Sequence, residues 1–254
     1  MPTRRGLEQA IISNGRIVNV VSKSYGHIPN DLFFKQAEQL LHDAELSFET
    51  RSINREDRSF VMDIIIKDAN QFTVKHEADA ILPMLRFKNS YDGSERTSGH
   101  FGFYRKICNN GLHVAQSEID FAIKHNKNNT TLILPKLNHL FQKFLDNEFY
   151  SIVDKFNRMK SVKIMDTEAF VKAVLEEHKL FRYECSDTND NPSKRSRMVI
   201  DIIDHESLLL QESPNLWLGY NAFNEVLHNT LKRSFSQQER LDRRLFDTVL
   251  NMAT

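Results

Sequence analysis

The sequence predicts an α+β fold, a curved antiparallel sheet in the N-terminal half backed by a helical C-terminal half. Three observations predict it. Period-two, β-branched segments recur up to about residue 134, short polar turns join them, and after Pro135 the apolar period changes from two to 3.6. Parallel strands would need helical crossovers between them, so consecutive strands with short turns favour a meander of five or six strands. The expected division is a sheet-rich core over 1–134 and a helical region over 135–254 packed on it as one compact unit.

Taken in order, residues 15–25 (Gly-Arg-Ile-Val-Asn-Val-Val-Ser-Lys-Ser-Tyr) read as a strand. Pro29-Asn30-Asp31 then supplies an N-cap, and Leu32, Phe33, Ala37, Leu40 and Leu41 recur at helical spacing to about Glu45. Ser47–Ile53 and Ser59–Lys67 flank the charged tip Asn54-Arg55-Glu56-Asp57-Arg58 and predict a hairpin. Further extended segments are expected at Gln71–Ala78, Ile81–Lys88, His100–Cys108 and His113–Gln116. A long helix is predicted through Leu137, Phe141, Phe144, Ile152, Phe156 and Met159, and a second from an Asp166 or Thr167 cap. The polar segment 184–197 reads as a loop. Helices are expected over Met198–Gln211 and Leu216–Leu231, and a last one from a capping box at Ser236-Gln-Gln-Glu239.

Composition narrows the function. The 34 basic and 34 acidic side chains cancel, so any nucleic-acid contact must come from charges sorted onto one face. With 8 glycines and no Gly-x-Gly-x-x-Gly or Gly-x4-Gly-Lys-Ser/Thr, a backbone phosphate cradle is not expected. Neither Cys-x2-Cys nor His-Glu-x-x-His occurs, and no cofactor is expected. The thiols Cys108 and Cys185 are read as free. No secretory segment or stretch of about 20 apolar residues is seen, which predicts a cytoplasmic protein without a membrane partner. Metal-binding alternatives rest on His76-Glu77 with Asp79, on Asp201 and Asp204 with His205, and on Asp63, Lys67 and Glu77 as a nuclease-like set. Each reads more readily as a solvated surface.

The informative segment runs from Leu82 to Leu112. On its first strand Met84, Arg86 and Lys88 share a face, and on its second Tyr104 and Lys106 oppose Phe101, Phe103 and Ile107, with Arg105 on the apolar side or beyond a bulge near Gly102. If the strands pair, one face is apolar and the other carries Arg86, Lys88, Tyr104 and Lys106 to solvent. Cations interleaved with an aromatic ring suit single-stranded nucleic acid, because charges follow phosphates and a ring stacks on any base. The turn Asn89-Ser90-Tyr91-Asp92-Gly93-Ser94 would form a polar rim, and Asn109-Asn110-Gly111 a second turn. The candidate nucleic-acid contacts are therefore Arg86, Lys88, Asn89, Tyr91, Asp92, Tyr104, Arg105, Lys106, Asn109 and Asn110. An ordinary solvated sheet face explains the same pattern.

Asn89-Ser-Tyr-Asp-Gly-Ser94, followed after a strand by Arg105-Lys-Ile-Cys-Asn-Asn-Gly-Leu112, resembles the paired signature of the phage/plasmid-like protein family, a domain of unknown function carried on bacterial mobile elements. The family's C-terminal Asn-Ala pair is matched by Asn221-Ala222 within Trp217–Asn224. The resemblance runs from about Arg16 to Leu250 and implies a bacterial host cytoplasm and an accessory role in replication, recombination or evasion of host defence. The expected architecture is also similar to that of single-strand annealing recombinases, which use a curved antiparallel sheet backed by helices. The leading expectation is a non-enzymatic protein that binds single-stranded DNA, as a homo-oligomer in annealing or end protection. The second is a module that engages a host protein through exposed Phe141, Phe144, Phe149, Phe170, Phe223 or Phe246. The third is a metal-dependent nuclease.

Overall fold

A computed structural model describes residues 7–67, 72–73, 79–107, 110–112, 120–145, 150–184 and 191–253. Its fold is α+β with a helical C-terminal half. The chain divides into two compact units, Met1–Asn70 with Leu82–Phe103 and Ala115–Glu148, and Gln71–Ile81 with Tyr104–Val114 and Phe149–Thr254. The helical unit thus begins after residue 148 and takes in two sheet segments.

In the first unit, strands β1 (Leu7–Ser13) and β2 (Arg16–Ser22) form a separate two-stranded ribbon. Its turn is Asn14-Gly15, both in the left-handed region (φ 48° and 74°), the backbone that two-residue hairpins select. Helix α1 (Asn30–Asp43) buries Phe33, Ala37 and Leu41, one face at a spacing of four. No side chain of Pro29 caps it; the Asn30 N–H instead donates to the Tyr91 hydroxyl at 3.1 Å. Strands β3 (Phe48–Arg55) and β4 (Ser59–Ile66) pair in register from Phe48↔Ile66 to Arg55↔Ser59, as the expected hairpin requires.

The remaining strands complete a seven-stranded sheet ordered β3-β4-β6-β7-β8, with β5 added to β6 and β9 to β7. Here β5 is Phe72–Thr73, β6 Ala80–Ser90, β7 Thr97–Arg105, β8 Asn110–Leu112 and β9 Phe121–Ile123. The expected strands over 71–78 and 113–116 lie mostly outside the described residues. A 3₁₀ turn at Lys127–Leu132 leads into α2 (Ile133–Leu145), which buries Ile133, Leu137, Leu140 and Phe144. Gly99 is required here, since a Cβ would stand 2.5 Å from Phe121 and 2.8 Å from Leu140.

The second unit is built on helices α3 (Tyr150–Ser161), α4 (Thr167–His178), α5 (Lys194–Leu210), α6 (Leu216–Thr230) and α7 (Phe235–Asn251). Of the long helix expected over 137–159, the described residues form α2 and α3, and residues 146–149 lie outside the described residues. Helix α6 is buried on all sides from Leu216 to Asn224, as a helix at the centre of a bundle is. Asp166, Ser193, Asn215 and Ser234 each accept a backbone N–H and cap α4, α5, α6 and α7. The capping box of α7 is Ser234 with Gln237, two residues earlier than expected. Among the described residues no helix is long and apolar enough to cross a membrane.

Candidate functional site

The expected solvent-open face of β6 and β7 is not present. Strand β6 is buried along its whole length apart from half-buried Arg86, and β7 apart from half-buried His100. Lys88 keeps 2% of its surface and Tyr104 is buried. Arg86 lies opposite Asp63 on β4 and holds it through both Nε (2.5 Å) and Nη2 (2.6 Å), so this cation is spent on a carboxylate. Of the face residues only Lys106 is exposed. Asn110 opens β8; Asn109, Cys108, Cys185, His76 and Glu77 lie outside the described residues.

The polar turn after β6 is instead the centre of a cluster in the first unit. Asn89 is fully buried and uses its whole amide: Nδ2 donates to Ile28 O and to Asn30 Oδ1, both at 2.8 Å, while Oδ1 accepts from Thr97 Oγ1 at 2.8 Å and from His125 Nε2 at 2.9 Å. Ser90 Oγ donates to Glu95 O at 2.8 Å and accepts from Glu95 N at 3.1 Å, closing the turn. Gly93 sits at φ +77°, and Asp92 Oδ1 accepts from Ser94 N at 2.9 Å. Tyr91 is fixed at three atoms: N donates to Arg58 O, O accepts from Asn19 Nδ2, and the hydroxyl accepts from Asn30 N.

Aromatic rings surround this turn. Tyr25 stacks on His125 with centroids 5.3 Å apart and planes within 11°, and Tyr91 lies 4.9 Å from His27 and 4.8 Å from Phe60. His27 is exposed, while Tyr25, Phe60, Tyr91 and His125 are half-buried. Burial, with a smaller contribution from His27, lowers the His125 pKa to about 4 against the opposing pull of Asp92. Burial and Asp92 raise Tyr25 to about 12, and burial lowers His27. Exposed cations lie close to this cluster along the backbone. Lys124 precedes His125, Arg96 precedes Thr97, the backbone O of Arg58 accepts from Tyr91 N, and Lys127 N donates to Ser24 O at 3.2 Å.

Arg105 belongs to a different, sealed arrangement in the second unit. Its Nε meets Asp79 Oδ1 and its Nη1 meets Glu206 Oε2, each at 2.6 Å, with the guanidinium carbon 5.4 Å from the Trp217 ring centroid and no surface exposed. Trp217 Nε1 donates to the other Asp79 oxygen at 2.7 Å, and Lys160 Nζ lies 2.7 Å from Glu212 and 3.8 Å from Asp79. Burial raises Glu206 while Arg105 opposes that shift. In this conformation the Arg105 guanidinium is closed off from a phosphate. It ties the end of β7 to the residue before β6 and to α5, and Trp217 brings α6 to the same carboxylate.

Other expected residues divide clearly. Phe144, Phe223 and Phe246 are core, Phe141 and Phe170 are half-buried, and Phe149 lies outside the described residues. Exposed apolar side chains stand at several places, among them Met165 and Leu208 and the β1–β2 ribbon, where Ile12 (64%) faces Ile17 (65%) and Val20 (45%) lies nearby. Asp201, Asp204 and His205 are exposed on α5, and among the described residues no group of three or more His, Cys, Asp or Glu could hold a metal ion. The sequence reading missed Tyr25, His27, Thr97 and His125, and it missed β1, for which Asn14-Gly15 between apolar residues was an available hairpin signal.

A model of a domain of unknown function, DUF932, matches residues 17–246. No curated protein and no solved structure matches the chain.

Proposed function

The chain belongs to the DUF932 family, and on that premise we propose that it is an accessory protein of a bacterial mobile element that binds single-stranded nucleic acid, in the host cytoplasm, at the turn Asn89–Ser94 and the rings around it. One observation carries the reading. Half-exposed Tyr25, Tyr91 and His125 and exposed His27 stand together, and exposed Arg58, Arg96, Lys124 and Lys127 neighbour the cluster along the chain or through backbone hydrogen bonds. Rings at the surface offer stacking platforms, and cations at their border follow a phosphate chain. Arg86, Lys88 and Arg105, engaged in the interior, take no part in this site, whereas Asn89, Tyr91 and Asp92 do. Association of several copies along one strand is part of the proposal. Anisotropy of a labelled single-stranded oligonucleotide tests it: binding should be clear at about 50 mM salt and fall steeply by about 200 mM. Absence of binding at the lower salt overturns it.

A second reading, capture of a host protein, is favoured by the apolar ribbon face of Ile12, Ile17 and Val20. It separates from the first by an Ile12→Lys/Ile17→Lys variant, which should lose a protein partner and keep oligonucleotide binding.

A further inference from the structure

The hydrogen bonds around Asn89 fix which nitrogen of His125 carries the proton. Asn89 Nδ2 already donates to Ile28 O and Asn30 Oδ1, so the atom facing the imidazole is the acceptor Oδ1. The Thr97 hydroxyl spends its single proton on the same Oδ1 and so meets His125 Nε2, 3.1 Å away, with a lone pair. Both neighbours of Nε2 are therefore acceptors, and Nε2 is the N–H. The ring is neutral at pH 7, since its pKa is near 4, which leaves Nδ1 as a bare acceptor. Among the described residues Nδ1 has no hydrogen-bond partner, and it is not closed off from solvent. Asp92, which also acts electrostatically on His125 and Tyr25, adds a second acceptor to the same neighbourhood.

We infer that His125 reads a nucleobase by accepting a hydrogen bond at Nδ1, so that the site favours bases with an exocyclic amine (adenine, cytosine, guanine) over thymine. This rests on the nucleic-acid reading above and names its base preference. An exocyclic amine projects two donors beyond the ring edge and meets an acceptor without obstruction. Thymine offers only N3–H, flanked by two carbonyl oxygens that would face the Nδ1 lone pair. Asn89 and Thr97 thus act as positioning residues, since they set the tautomer and do not face the base.

The test is anisotropy near neutral pH and about 50 mM salt with labelled homopolymers of adenine, cytosine and thymine. Wild type should bind the adenine and cytosine strands about threefold to tenfold more tightly than thymine, the effect of one hydrogen bond. A strand of unsubstituted purine, which stacks like adenine but lacks the amine, should bind like thymine. In His125→Phe the ring against Tyr25 is kept and the acceptor lost, so all strands should bind like thymine. Equal binding of all strands by wild type, tight binding of the purine strand, or a preference surviving in His125→Phe overturns the inference while leaving the nucleic-acid reading intact. Failure to bind any strand overturns both.

Discussion

Two polar assemblies grow from one segment, Leu82–Leu112, and they differ in kind. Around Arg105 the groups are formally charged, fully buried and matched to one another, with carboxylates from Asp79 and Glu206 taking the guanidinium. Around Asn89 the inner groups are neutral, amide, hydroxyl and imidazole, and the outer ones are rings that reach the surface. Charges taken out of water must be paired internally, so the first assembly has little left to offer a ligand. A neutral network can hold side chains rigidly while presenting an unpaired acceptor and bare rings. The segment therefore serves two purposes: its Arg105 end secures the fold, and its Asn89–Ser94 end supplies the candidate surface.

The largest expected effect comes from breaking the sealed assembly. Arg105→Ala leaves Asp79 and Glu206 buried without their cation and should destabilise the protein by about 3–5 kcal/mol, read from denaturant unfolding. Asn89→Ala should cost less, about 1–3 kcal/mol, because it strands neutral donors and acceptors at Thr97 and His125. It should also erase the base preference by freeing the tautomer.

Acid provides a third probe of the contrast. His125 is held well below its ordinary pKa in the folded chain, so between about 6.5 and about 4 the unfolded chain binds more protons. Its contribution is intact above about 6.5 and is lost as pH falls through that window toward 4. Unfolding midpoints measured across the window should fall less steeply in His125→Phe than in wild type. The smallest effect is expected at the ribbon, where Ile12→Lys/Ile17→Lys should leave stability within about 0.5 kcal/mol, since both side chains are exposed.

Much of the architecture was legible locally. The β3–β4 register follows from alternation around a charged tip, and α6 and α7 from apolar spacing, although the capping box of α7 lies two residues before the expected one. The open sheet face was not, because alternation shows which residues share a side of a strand and leaves undetermined whether that side is covered. Arg86 and Lys106 look alike in sequence, yet one holds Asp63 and the other is exposed. The partners of Arg105 stand 26 and 101 residues away, and His125 lies 36 residues from Asn89, separations over which spacing carries no signal. Asn14-Gly15 was readable as a turn and shows that a dipeptide can outweigh an ambiguous strand.

The central claim is that the border of the Asn89 cluster follows a phosphate chain. The most direct measurement is the slope of log affinity for a single-stranded oligonucleotide against log salt, in wild type and in a Lys124→Ala/Lys127→Ala variant. Removal of two phosphate contacts should flatten the slope by about 1–2 and leave the unfolding midpoint unchanged. Equal slopes in the two proteins would contradict the account.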